Sequence, residues 1–442
     1  MLPWAFAVLG TGITVCWWQA RLLGDVRLHL GAFYGWFFTA FAFYLGALGL
    51  AYRAERFTLS GRQKRLSLGL IVIVAVVVRL FLLPATPTLS DDLYRYRWDG
   101  RVQQAGIDPY RYPPNAPELS SLRDEQDAHI NFPHLRTVYP PLTQWAFRLG
   151  ASLGDTLISQ KLVFVGAELL LIGALLFILW RRGQSLLWVV AYAWHPLAIL
   201  ELSGSGHNDA LGLAMLWLGL AAWEARWWPA AGVAWAAAFL SKFTSLVLVP
   251  WWWFRRVSRR GLILLLLLSL LPLATHPTAI SALFESLGHV ATRFESNASL
   301  YLGLVWITRN IVVARLLAFS LGIGFVVWWA RRQADPIRYC LGVFAASALL
   351  SPVLHPWYLV WLLPCFCFWR APALVALSGT VVLAYTVWPG YLSEGRWELP
   401  VWAHVVEYAP VVLLGGWELW RKRSELGLSF RLAMKPKHSL AS

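Results

Sequence analysis

Two adjacent aspartates, Asp91 and Asp92, follow an apolar run directly and open a polar stretch reading SDDLYRYRWDG. Acids beside a bilayer are expensive, so this pair asks for a partner or a function. A carboxylate placed there can accept the proton of a sugar hydroxyl as its oxygen attacks, which activates a weak nucleophile. One aspartate would be the base. The other would orient it, raise its pKa by like-charge repulsion, or bind the acceptor, and the residues leave these roles open. The structural alternative is that both acids only favour the positive end of a helix, a gain of about 0.3–1 kcal/mol.

Three further groups carry chemistry. Gly204 to Asp209, reading GSGHND, opens an apolar run; Asn208 or Asp209 could cap a helix there, but four polar residues exceed what one cap needs. His207, Asn208 and Asp209 are therefore candidates to hydrogen-bond a polar ligand. Lys242, in AFLSKFTSLVLVP, interrupts an apolar stretch and needs a partner, either water reached by snorkelling or a lipid phosphate. The His-Pro pairs His195–Pro196, His276–Pro277 and His355–Pro356 complete the set. The run HPWYLVWLLP from His355 adds Trp357 and Tyr358, either as an interfacial aromatic belt or as a carbohydrate platform. Arg293, Arg309 and Asn310 are weaker candidates for phosphate contacts.

The elements that must position these residues are membrane helices. The chain has 442 residues, is 58% hydrophobic and only 14% charged, well outside the range of soluble domains. Apolar runs lie near 3–23, 31–52, 66–83, 157–180, 184–202, 207–224, 228–240, 243–254, 260–276, 310–330, 337–353, 356–369, 371–388 and 401–420. They predict an all-α polytopic protein with about 12–14 transmembrane helices, and the runs shorter than ~20 residues read as broken or re-entrant. The N-terminus lacks a basic leader region and reads as a retained first span. Basic clusters at Arg53–Arg65, Arg181–Arg182, Arg255–Arg260, Arg331–Arg338 and Arg421–Arg423 alternate consistently if all are cytoplasmic and 228–254 crosses twice. Both termini then face the cytoplasm, 421–442 is a basic cytoplasmic tail, and the long segment 84–139 is extracytoplasmic. Within that segment Ser90 to Gly106 predicts a helix with Ser90 as N-cap and Gly106 as stop, lying on the membrane surface. Asp92, Tyr96, Asp99 and Gln103 would share one face, and Asp91, Arg95, Trp98 and Val102 an adjacent one.

The net charge of +15 sits in short clusters between apolar runs, without a basic stripe to follow phosphates, so nucleic acid is excluded. The cysteines Cys16, Cys340, Cys365 and Cys367 have neither zinc-site nor disulfide spacing and read as packing residues. There is no Walker A sequence, no GxGxxG and no HExxH. With no soluble domain to hold a nucleotide sugar, a sugar donor would have to come through the membrane on a lipid.

The run SDDLYRYRWDG, then GIDPYRYPP and VYPPLTQW, resembles the first outer loop of the GT-C superfamily of integral-membrane glycosyltransferases. SGHNDALGLAMLWLG, the SKF break and HPWYLVWLLP are similar to the same family, in the same order, over about residues 88–364. The likeness is greatest to the polyprenol-phosphate-mannose-dependent α-mannosyltransferases, including bacterial 1,6-mannosyltransferases and the catalytic subunit of GPI mannosyltransferase I. Two spans precede the acidic loop's own span here, whereas many members of the superfamily present their acids after the first.

The resemblance implies one transmembrane glycosyltransferase domain over 1–442 in a bacterial plasma membrane, with 84–139 as its extracytoplasmic catalytic loop. It implies an inverting transfer of a hexose, mannose above others, from a polyprenyl-phosphate donor to a glycan or glycolipid. Asp91 or Asp92 would be the base, and Arg95, Lys242 and Arg309 would hold the donor phosphate. Tyr139, His207, Asn208, Asp209, His355, Trp357 and Tyr358 would line the cleft. No cofactor is required; some members use a divalent metal, and no metal site is indicated here. The rival from another class is a transporter or flippase for lipid-linked saccharides, which would favour paired repeats and charges at the membrane midplane. The concentration of acids in one loop favours an enzyme.

Overall fold

The computed structural model describes residues 2–57, 60–255, 267–270, 273, 277–293 and 295–433. His276 and the arginines Arg256, Arg259 and Arg260 lie outside them. Among the described residues every regular element is helical, and the one β contact is an isolated bridge between Ser296 and Val353. The helices that build the site are α1 (Leu2–Leu22), α2 (Leu30–Arg56), α3 (Gly61–Leu82), α4 (Asp92–Gln104), α5 (Pro141–Ser152), α6 (Leu157–Arg181), α7 (Asp209–Glu224) and α8 (Trp228–Lys242). Sharp starts come from local chemistry. Ser60 and Gln63 form a reciprocal capping box at α3, and Thr156 and Ser159 form another at α6.

Among the described residues five helical stretches are long and apolar enough to cross a bilayer: Leu30–Arg56, Gly61–Leu82, Leu157–Arg181, Ile311–Arg332 and Pro372–Glu394. A bent pair, Leu186–Ala193 and Pro196–Gly204, makes a sixth if taken as one span. That is fewer than the 12–14 transmembrane helices expected, because many of the fourteen apolar runs are short or broken and the run 260–276 lies largely outside the described residues. The bent pair turns by 52° at His195–Pro196, where proline removes an N–H and cannot continue the preceding helix. His195 serves that break: its Nδ1 accepts from Leu197 N at 3.2 Å and its Nε2 meets Ser378 Oγ at 2.9 Å. Beyond it Ile199–Gly204 widens into a π-helix, a local form frequent at functional sites.

The stretch 228–254 goes in and comes back. Trp223 touches Trp228 at one end and Trp251 at the other, so both ends lie together. The 15 residues of α8 extend only ~22 Å, short of the ~30 Å hydrocarbon core. The chain then reverses at Phe243, whose φ is +57°. Lys242 is thereby recessed rather than carried to the far surface.

One continuous apolar core joins α1 through to Trp388. Inside it Arg79 and Glu168 form a fully buried ion pair at 2.6 Å. Taking such a pair out of water costs several kcal/mol per ion, and its mutual attraction offsets this only with additional hydrogen bonds. Here Arg79 also donates to Ala75 O and Ala193 O, while Glu168 accepts from Tyr192 OH and Ser203 Oγ. The pair therefore ties α3, α6 and the bent pair together.

The charged loops segregate to two ends. At one, Arg370 pairs with Glu55 at 2.7 Å, Arg182 with Asp335 at 2.8 Å, and Arg255 donates to Gln333 O at 3.1 Å. The basic clusters within the described residues thus converge there through α2, α6 and the turn before residue 336. Asp91, Asp92, His207, Lys242 and the loop after residue 84 occupy the other.

Candidate active site

The segment that carries the aspartates is locked in place by its own sequence. α4 begins at Asp92, one residue later than a Ser90 cap would put it; Ser90 Oγ accepts from Asp92 N at 3.3 Å, and Asp91 occupies the N-cap without a side-chain cap bond. Its end is the expected one: Gly106 has φ +76°, Gly106 N donates to Gln103 O, and Ile107 N donates to Val102 O. That double bond pattern needs a left-handed residue, which glycine supplies without strain. α4 is embedded, not laid on a surface: Leu93 to Gly100 and Val102 are all buried. Gly100 allows this, since a Cβ there would stand 2.3 Å from Phe147 O of α5.

The loop's acids divide into those held by arginines and those that are not. Buried Asp99 accepts from Arg95 Nε at 2.9 Å, Thr137 Oγ1 at 2.6 Å and Gln144 Nε2 at 2.9 Å. Arg97 and Arg101 clamp Asp124, at 2.7 and 2.6 Å, and also engage Asp127 and Asp155. This pins the turns Pro117–Leu122 and Glu125–His129 over α4. Arg97, and with it Arg101, holds the Asp124 carboxyl well below the usual carboxylate range. Among the described residues neither Asp91 nor Asp92 has an arginine ion pair.

Asp92 faces a polar basin. Its Oδ1 accepts from Asn131 Nδ2 at 2.8 Å, and its Oδ2 lies 3.5 Å from Tyr96 OH and 3.7 Å from His207 Nδ1. Tyr96 OH also donates to Asn208 Oδ1 at 3.2 Å. Behind His207, Nε2 lies 3.4 Å from Oε2 of the buried Glu201, whose Oε1 accepts from Tyr385 OH at 2.7 Å. Asn208 and Asp209 therefore do not cap α7 with their side chains; they build this basin. Asp209, fully buried, accepts from Lys242 Nζ at 2.5 Å and Trp361 Nε1 at 2.7 Å. The His207 ring stacks on Trp357 at 4.5 Å and His355 stacks on the same indole at 4.3 Å, with Tyr358 edge-on to His355 and Trp357.

Asp91 faces elsewhere, into a cavity of about 510 Å³. Its walls come from Trp17, Arg21, Asp25, Arg27 and Phe33 of the α1–α2 hairpin, from residues 84–89, and from Tyr94 and His129. Burial pushes the Asp91 carboxyl up from its ordinary value, the Asp92 charge adds to this, and the Arg27 charge opposes it.

Of the candidates read from sequence, Asp92, His207, Asn208, Asp209, Lys242, His355, Trp357 and Tyr358 meet in the basin. Tyr139 joins through an edge-on contact with Tyr96 at 5.2 Å. Arg95 is buried and engaged by Asp99. Arg309 is exposed, over the Trp306 ring at 5.3 Å, and Asn310 caps the Ile311–Arg332 helix. Neither has a contact with the basin among the described residues, and the Arg293 side chain lies outside them. Sequence reading missed Asn131, Glu201, Trp361 and Tyr385. Glu201 had a signal, an acid inside the apolar run LAILELSG. Trp361 lies four residues after Trp357 in the same short 3₁₀ helix; Asn131 and Tyr385 had none. Among the described residues no cluster of three or more His, Cys, Asp or Glu side chains is arranged to hold a metal.

The family model for MptA/B, alpha-(1->6)-mannopyranosyltransferase, N-terminal domain, matches residues 5–256. No curated protein and no solved structure matches the chain.

Proposed function

Since the chain belongs to the α-(1→6)-mannopyranosyltransferase family, we propose that it moves a mannosyl group from a polyprenyl-phosphate donor to a glycan or glycolipid, with inversion, using the Asp91–Asp92 pair. The acceptor hydroxyl attacks C1 of the donor sugar. Its proton passes to a carboxylate of the pair, the C1–O bond to the phosphate breaks, and polyprenyl phosphate leaves with the bonding electrons. The observation that carries this reading is Asp92 itself, half-buried, without an arginine, and facing a basin lined by stacked rings and one recessed ammonium. Three donor protons belong to a lysine ammonium. Asp209 takes one and Asn208, at 3.5 Å, a weak second. The third can meet the donor phosphate and stabilise it as it leaves. Asp209 and Trp361 fix that ammonium in advance, so little reorganisation is needed. The site end faces away from the cytoplasm, in keeping with the arginines gathered at the other end.

The test is mannosyl transfer from radiolabelled polyprenyl-phosphate mannose by the purified protein, beside Asp91→Asn and Asp92→Asn. At least one variant should lose ~10²-fold or more in turnover, the scale of lost acid–base catalysis. Wild-type turnover in both would remove the carboxylates from the chemistry.

A further inference from the structure

The two N-terminal helices are not used by the reaction as stated, yet they wall the cavity at Asp91. We propose that this cavity is the subsite for the acceptor's saccharide end, and that Asp91 is the carboxylate its hydroxyl meets. This rests on the transfer proposed above.

A volume of about 510 Å³ lies within the range of built small-molecule sites. The charges of its walls are already spoken for. Arg27 grips Asp25 through Nε at 3.0 Å and Nη2 at 2.8 Å. Arg21 donates to Phe81 O at 3.0 Å and lies over the Phe81 ring at 4.6 Å. With two arginines and two aspartates the cavity has no net positive charge to draw a phosphate. It offers instead fixed polar edges and rings: the Arg27–Asp25 fork, Asp91, and Tyr94 packed on His129 at 4.9 Å. A neutral polyol matches that mixture, since its hydroxyls pair with the forks while its C–H faces pack on rings. The phosphate-bearing donor has the Lys242 basin on the other side. The two ligands then meet where the chain passes from Asp91 to Asp92. The acceptor proton goes to Asp91, and Asp92, held by Asn131, positions the pair.

The full chain in lipid nanodiscs decides the matter with α-1,6-mannobiose as probe. Binding is read by saturation-transfer NMR without donor, and transfer is read with each substrate varied in turn. Thr86 is exposed at the cavity wall and the four natural cysteines are buried. Thr86→Cys can therefore be alkylated with a bulky maleimide after folding, which closes the cavity without asking the chain to fold around a new side chain. Arg27→Gln removes the fork by a second route. Both should raise the KM for the acceptor about 10-fold or more, the scale of one lost polar anchor, weaken mannobiose binding in step, and leave the donor KM unchanged. An unchanged acceptor KM in the alkylated protein, or a rise in the donor KM in its place, overturns the assignment. Mannobiose binding that the label abolishes, in a protein that transfers no mannose, would support the subsite and sink the reaction.

Discussion

At the scale of single residues, Asp91 makes a pH prediction. A base must be ionised to act, and burial raises this carboxyl above its ordinary 3.8. Turnover should hold at high pH and fall as pH drops through that raised value, so the acid limb of kcat/KM lies higher than an ordinary aspartate would set it. Asp91→Asn should abolish the limb along with most of the rate. Lys242 and Asp209 make a second prediction. Lys242→Met strands a buried carboxylate, which costs about 3–5 kcal/mol when both partners are fully buried, and less here because Lys242 is 30% exposed. Thermal unfolding should show the loss, and Lys242→Met with Asp209→Asn should recover most of it. Donor KM should stay raised in the double variant, which separates the fold from the phosphate contact. Such residues were legible beforehand because each ionisable group in an apolar chain is costly and hence conspicuous. Glu201 obeyed the same rule and was passed over for lying inside a run. Asn131 is neutral and sits in a loop, so only folding brings it to Asp92.

Helix by helix, Gly100 is the position where α4 and α5 touch backbone to backbone. Gly100→Ala would put a methyl 2.3 Å from Phe147 O, and a carbonyl cannot step aside as a flexible side chain can. The expected loss is about 1–3 kcal/mol, the usual cost of overpacking, seen in thermal unfolding with Asp92 displaced and turnover lowered. The clamp of Arg97 and Arg101 on Asp124 adds a sign. A depressed carboxyl contributes stability above its unfolded pKa, near 3.9, and loses it as pH falls below. The turns over α4 should therefore stay closed through the pH range in which Asp91 protonates. The apolar runs fixed where helices lie but not how many cross, since periodicity is blind to the bend at His195–Pro196 and to the reversal at Phe243. The stop at Gly106 was readable because glycine alone takes that backbone cheaply; the burial of α4 was not, because its polar residues find partners from Asn131, Asp124 and Asp155, distant in sequence.

Across the whole molecule, the two ends predict opposite accessibility. Asn115 and Gln184 are exposed and lie at different ends, and the natural cysteines are buried. In intact cells a membrane-impermeant thiol reagent should label Asn115→Cys, and should label Gln184→Cys only once the inner face is opened. The reverse pattern would place the basin in the cytoplasm. The Arg79–Glu168 pair bears on how such an enzyme cycles. Four hydrogen bonds brace it where α3, α6 and the bent pair cross, so a hinge there would strand charge in hydrocarbon. The bent pair, which carries Glu201 behind His207, is therefore expected to stay still through turnover. Motion for substrate entry and product exit would then fall to the rim: the hairpin of α1 and α2 on one flank, and the Ile311–Arg332 helix, little of it buried among the described residues, elsewhere.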